Sequence, residues 1–109
     1  MSEPDIFKAL AEPIRLRILV LLTRGELCVC DLTAILDLPQ PTISRHMGKL
    51  KVLGLVGDRR NGRWVHYRLN DTADPVISRL LELVRSLKER QPYAADLGRL
   101  ATHNCAGRC

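Results

Sequence analysis

Residues 37–41 read DLPQP, and these two closely spaced prolines constrain the chain more than any other feature. Each biases its predecessor away from helix, so the helical pattern from about Cys28 to Leu36 must stop before the next one, TISRHMGKLKVLG, begins. Leu32, Ile35 and Leu36 face inward before the break, and Ile43, Met47 and Leu50 follow it at i, i+4 and i+7. Two helices joined by a short proline-marked turn, the second one basic, spell a helix-turn-helix.

Projecting the second helix at about 100° per residue puts Arg45, Gly48 and Lys49 opposite the apolar stripe, flanked by Thr42 and Ser44. That face is small at its start and cationic further along, which suits a major groove. His46 falls at the edge of the stripe, open to two roles, a packing histidine or a phosphate donor.

After Gly54 the pattern changes to LVGDRRNGRWVHYRLN, in which Asn61-Gly62 is the favoured two-residue hairpin turn. Val65, Tyr67 and Leu69 alternate with Trp64, His66 and Arg68, and Arg59, Arg60 and Arg63 crowd the tip. A basic hairpin beside a helix-turn-helix reads as a DNA-binding wing.

Two helices precede this unit, a short one around PDIFKALA and a longer one around EPIRLRILVLLTR with Pro13 in its first turn and Gly25 as its stop. A last long helix, DTADPVISRLLELVRSLKER, opens at Asp71 or Asp74. Its apolar positions 76, 77, 80, 81, 83, 84 and 87 form a stripe wider than one small domain needs, which predicts a helix of a second copy against it. The reading is a mostly α winged helix-turn-helix with a small β-hairpin, homodimeric. Residues 1–90 form the DNA-binding and dimerisation domain, and residues 91–109 a C-terminal tail without sustained period.

Charge supports this. Residues 40–68 carry seven Lys or Arg against Asp58 alone, so this sub-region holds the whole positive excess of a chain whose net charge is +5. The chain has no apolar run near the roughly 20 residues needed to cross a bilayer and no signal-peptide pattern, so it reads as soluble and cytoplasmic. The four cysteines, at 28, 30, 105 and 109, then point to thiols, metal ligation or redox work rather than a disulfide framework. No catalytic constellation is present. A dithiol oxidoreductase using CVC lacks the CxxC spacing and βαβ context of such a site.

The order of elements, together with ELCVCDL, SRHMGKLKVLGLV and GRWVHYRL, resembles the ArsR/SmtB family of bacterial metal-sensing repressors, and within it the arsenical-resistance repressors. The resemblance covers residues 4 to about 90. It implies a winged-helix homodimer on double-stranded operator DNA, with recognition helices about 34 Å apart, released when a soft metal ion or metalloid binds. Its operator-reading positions fall on Gln40, Thr42, Ser44, Arg45 and His46, and its wing contacts on the arginines near Asn61. Its inducer-binding thiols fall on Cys28 and Cys30, while the position of the third cysteine of many arsenic sensors is Thr33 here. The last long helix lacks the paired His and Asp/Glu with which zinc and nickel sensors of the family build an interface site.

The thiols themselves are instructive. Asp31, three residues after Cys28, sits where the acid of a capping box belongs, so Cys28 takes the N-cap place of a Ser or Thr. Orphan N–H groups and the positive end of the helix dipole favour thiolate there, and soft thiolates select trivalent arsenic or antimony, cadmium, lead or zinc. Positions i and i+2 diverge by about 200° on a regular helix, so gripping one ion with both sulfurs requires the first turn to unwind. That unwinding would be the switch. The inducer expected from the resemblance is arsenite, or antimony, and arsenite prefers three thiolates. The third is left open between Cys105 or Cys109 of the tail, from this or the other subunit, and an exogenous thiol or hydroxide. With two protein sulfurs only, a methylated trivalent arsenical fits as well. The rival reading is a winged-helix repressor whose thiols sense oxidants or another soft metal such as cadmium or lead.

Overall fold

The computed structural model describes residues 2–103 of the 109. Helix α1 spans Glu3–Leu10 and α2 Pro13–Leu22; the two-residue strand β1, Leu27–Cys28, leads into α3, Val29–Leu36. The recognition helix α4 is Gln40–Val52, the wing strands are β2, Val56–Asn61, and β3, Trp64–Leu69, and α5 runs over Pro75–Arg85. A 3-10 turn, Ser86–Glu89, and a further helix, α6, Tyr93–Thr102, complete the described chain.

Helix α2 is the centre of the core. Ile18 through Leu22 are all buried, on every face of the helix, because α1, α4, α5, α6 and β3 pack around it. Ile43, Met47 and Leu50 of α4 reach this core, each fully buried.

The DLPQP break resolves into a left-handed Asp37 (φ +54°) closing α3 and Pro39 as the N-cap of α4. Helix α4 therefore begins two residues earlier than the sequence pattern predicts. Pro41 falls at N2, where a missing N–H costs nothing.

In the wing, Asn61 pairs with Trp64, so the two central turn residues are Gly62 and Arg63 rather than Asn61 and Gly62. Gly62 has φ +65° and alone of the two takes the left-handed region, as in hairpin turns with glycine at the first central position. β1 adds a third strand that the sequence pattern did not show. It pairs antiparallel with β3, Leu27 opposite Tyr67 and Cys28 opposite His66, giving the order β1-β3-β2.

The tail, in which the sequence shows no sustained period, carries helix α6 over Tyr93–Thr102. Tyr93, Leu97 and Leu100, at i, i+4 and i+7, pack against the core. The fully buried Asp96 accepts a fork from Arg17 of α2, Nε and Nη2 each at 2.9 Å, and also pairs with Arg99. Arg99 in turn donates through Nε to the Ile35 carbonyl near the end of α3, at 3.1 Å. This network fastens α6 to both α2 and α3. Cys105 and Cys109 lie outside the described residues.

Asp96→Ala leaves two guanidinium groups facing an empty interior position, but both are partly in contact with water. The expected loss of unfolding free energy is about 3 kcal/mol, at the low end for breaking a buried ion pair. Urea titration of the purified protein measures it, and a loss below about 1 kcal/mol would mean that α6 is not anchored through this group.

Candidate thiol site and nucleic-acid interface

Cys28 is extended (φ −87°, ψ 164°) because it is at once the last residue of β1 and the N-cap of α3. Asp31, the third residue of the helix, accepts the Cys28 N–H at 3.1 Å, the capping-box bond expected from the sequence. Cys30 is the second residue of the helix, and its sulfur lies 2.9 Å from that of Cys28. The expectation that both sulfurs meet only after the first turn unwinds is therefore overturned. The projection of about 100° per residue holds between helical residues, and an N-cap residue is not one of them.

The donor atoms of Cys28, Cys30 and Asp31 all lie within 4.8 Å of one another. Asp31 is buried, and its other oxygen faces His103 Nε2, at the end of α6, at 3.0 Å. Thr33 donates its hydroxyl to the Cys30 carbonyl at 2.8 Å. Two adjacent sulfurs with one carboxylate already engaged make a soft donor set.

Both thiols line a cleft of about 500 Å³ between the start of α4 and the wing. Gln40 and Ser44 form one wall, Arg60, Arg63 and Trp64 the other, with Val65 and Tyr67 beneath. The thiol site and the surface predicted to meet DNA thus share one opening.

The predicted DNA-facing residues divide into three groups. Gln40, Arg45, Lys49, Arg60 and Arg63 are exposed, and Thr42 and Ser44 half-buried, on the cleft side or outer face of α4 and at the wing tip. Arg63 stacks over the Trp64 ring at 4.9 Å. Arg59 is committed differently, since its guanidinium holds Glu26 at 2.6 Å and keeps that carboxylate below its usual range. Lys51 is likewise bound to Asp58 at 3.0 Å, tying α4 to the wing. His46 belongs to the interior: it is buried, and Arg15 Nη1 donates to its Nδ1 at 3.2 Å. Of its two open roles the structure supports packing.

Residues 12–57 match the family described as bacterial regulatory protein, arsR family. The chain is 43% identical over 104 residues to the arsenical resistance operon repressor of Escherichia coli K12, an alignment covering 94% of this chain and 88% of that one. The chain belongs to the ArsR family. Among solved structures it is similar to the AntR antimony-specific transcriptional repressor, with a TM-score of 0.62 and 38% identity over 76% of this chain and 73% of that one. A homodimeric winged helix-turn-helix DNA-binding domain from Mycobacterium bovis, described as a possible ArsR-family regulator, gives a TM-score of 0.64 and 31% identity over 84% and 91%. The protein is thus an ArsR-family transcriptional repressor, winged-helix and non-enzymatic, from a family that binds DNA. Among its described residues no helix is long and apolar enough to cross a membrane.

Sequence reasoning about this ArsR-family chain did not place His103 against Asp31 or Glu26 against Arg59. His103 meets Asp31 across 72 positions, and no local pattern carries that distance. Glu26 opens the cysteine motif, and only the pairing of β1 and β2 on either side of β3 brings it to Arg59.

Burial holds the His46 pKa below its ordinary value of 6.5, against the pull of Glu12 and with the added repulsion of Arg15 and Arg45. Between that folded value and 6.5 the unfolded chain binds a proton that the native chain does not. This contribution to stability is therefore full above pH 6.5 and is lost as pH falls through the folded pKa. Measured by urea titration between roughly pH 7 and 5, His46→Gln should lose less stability than the wild type. Equal losses would show that His46 does not titrate differently on folding.

Proposed function

We propose that this protein is a metalloid-responsive repressor that binds operator DNA as a homodimer and is released when trivalent arsenic, or antimony, binds the thiolates of Cys28 and Cys30. The observation that carries the reading is the preformed sulfur pair, 2.9 Å apart, inside the cleft between recognition helix and wing. The arsenical and antimony names of its relatives agree with it.

On the operator, Gln40, Thr42 and Ser44 present short polar groups at the start of α4 while Arg45 and Lys49 supply cationic contacts. Arg60 and Arg63 extend the cationic surface along the wing. The dimer is built on α1 and α5, where Phe7 (56% exposed) and Leu83 (64%) are apolar side chains left in solvent.

Release follows from the place of Cys28. An ion drawn to this sulfur acts on a residue that is paired with the wing strand, opposite His66, and also starts α3, which packs on α4. Loading shifts the wing against the recognition helix and fills the cleft between them. A coupling of about 1 to 3 kcal/mol in operator affinity is the expected size. Arsenite takes Cys28 and Cys30 plus a third donor, supplied by Cys105 or Cys109 or by an exogenous thiol or hydroxide.

A gel shift on the promoter fragment upstream of the gene, titrated with arsenite and antimonite, tests this. Cys28→Ser and Cys30→Ser should each still bind DNA and should each require more than about tenfold more arsenite for release. Unchanged release in both variants removes the pair from the mechanism.

The wing arginines give a second test. Arg60→Ala should reduce the slope of log affinity against log salt by about one, the loss of one phosphate contact. Arg59→Ala, whose side chain is held by Glu26, should change that slope by clearly less. Equal effects would mean that Arg59 leaves Glu26 to reach the backbone.

A further inference from the structure

Asp31 is buried beside the two sulfurs, and both of its oxygens are engaged. Oδ2 accepts the Cys28 N–H at 3.1 Å, and Oδ1 meets His103 Nε2 at 3.0 Å. A carboxylate only accepts, so the ring nitrogen carries the proton and donates it. The two bonds hold opposite oxygens of one group. His103 thereby fixes the rotation of the carboxylate that in turn holds the Cys28 backbone. That backbone decides the geometry of the site, because its extended form (φ −87°, ψ 164°) brings the Cys28 sulfur to 2.9 Å from that of Cys30.

Helix α6 does not need this bond to stay in place. Asp96 on Arg17, Arg99 on the Ile35 carbonyl, and Leu97 and Leu100 against the core already fasten it. His103 follows the helix as its C-cap and is half-buried, and among the described residues the hydrogen-bond partner of its ring is Asp31. The anchored helix thus delivers an imidazole to the carboxylate from 72 positions away.

We infer that His103 is a positioning residue for the thiol pair, acting through Asp31 to hold Cys28 in the extended N-cap form in which its sulfur meets that of Cys30. The inference rests on the reading of Cys28 and Cys30 as the inducer thiols and adds the residue that prepares them. A group that orders a ligand residue raises affinity by reducing what binding must still organise. Without His103, one oxygen of a buried carboxylate loses its partner, and turning that oxygen toward water weakens the bond that the other makes to Cys28. The predicted operator-facing side chains stand on α4 and the wing, and α6 supplies none of them. Inducer affinity and operator affinity should therefore separate.

The experiment uses the full chain, with and without Cys105→Ser/Cys109→Ser, so that any effect on the nearby tail thiols is seen apart from the effect on the pair. Calorimetry follows arsenite binding, and a gel shift without arsenite follows operator binding. His103→Leu should weaken arsenite about tenfold in both backgrounds, the lower end for losing a group that orients a metal ligand. Operator affinity should stay within about twofold. His103→Gln, whose amide can donate to the same carboxylate oxygen, should recover most of the loss. After Asp31→Ala, His103→Leu should bring no further loss, because the path through the carboxylate is already gone. Unchanged arsenite affinity in His103→Leu, an equal loss of operator affinity, no recovery with His103→Gln, or a further loss after Asp31→Ala would each overturn the inference. Arsenite binding that survives undiminished in a Cys28→Ser/Cys30→Ser double variant would instead overturn the proposed function on which it rests.

Discussion

Everything at the functional end of the molecule depends on the double membership of one residue. Cys28 closes a two-residue strand paired with the wing and, in the same extended conformation, caps the first helix of the helix-turn-helix. Serine or threonine would cap this helix better, by about 1 kcal/mol in typical cases. Asp31 makes good part of the difference by accepting the Cys28 N–H. What cysteine adds is a sulfur at the joint of wing and recognition unit, within 2.9 Å of a second one.

Around this joint the charges are divided between holding the wing and facing outward. Glu26 with Arg59 and Asp58 with Lys51 fix the hairpin against the start of β1 and the recognition helix, and each is a partly exposed pair of modest individual strength. Arg45, Lys49, Arg60 and Arg63 form no ion pair among the described residues and supply the positive face. On the opposite side, α6 holds α3 from both ends, through His103 on Asp31 and Arg99 on the Ile35 carbonyl. The helix that carries the thiols is thereby anchored from the direction of the C-terminus as well as from the wing.

Much of this was legible in the residues. The proline-marked turn, the apolar stripe Ile43, Met47 and Leu50, the Asn-Gly hairpin and the Cys28–Asp31 capping box all follow from local periodicity and cap chemistry, and the structure has them within one or two positions. What was not legible required contacts between distant segments. β1 is only two residues long and has no alternating pattern; it exists because β3 is beside it. Helix α6 carries a short apolar repeat that Gly98 and the charged Asp96 obscure, and Asp96 makes sense only when Arg17 is seen next to it. The most consequential error was geometric. Treating Cys28 as helical placed the two sulfurs apart, whereas its strand pairing places them together, and the switch consequently moves from the unwinding of α3 to the wing joint and the cleft.

The most direct test of this account is amide hydrogen exchange, resolved by residue, on the protein with and without arsenite. The account predicts that the Ile35 and Leu36 amides within α3 keep their protection on loading, while exchange changes concentrate at Leu27, Cys28, His66 and Tyr67, where the short strand meets the wing. Loss of protection throughout α3, with the wing pairing unaltered, would contradict it.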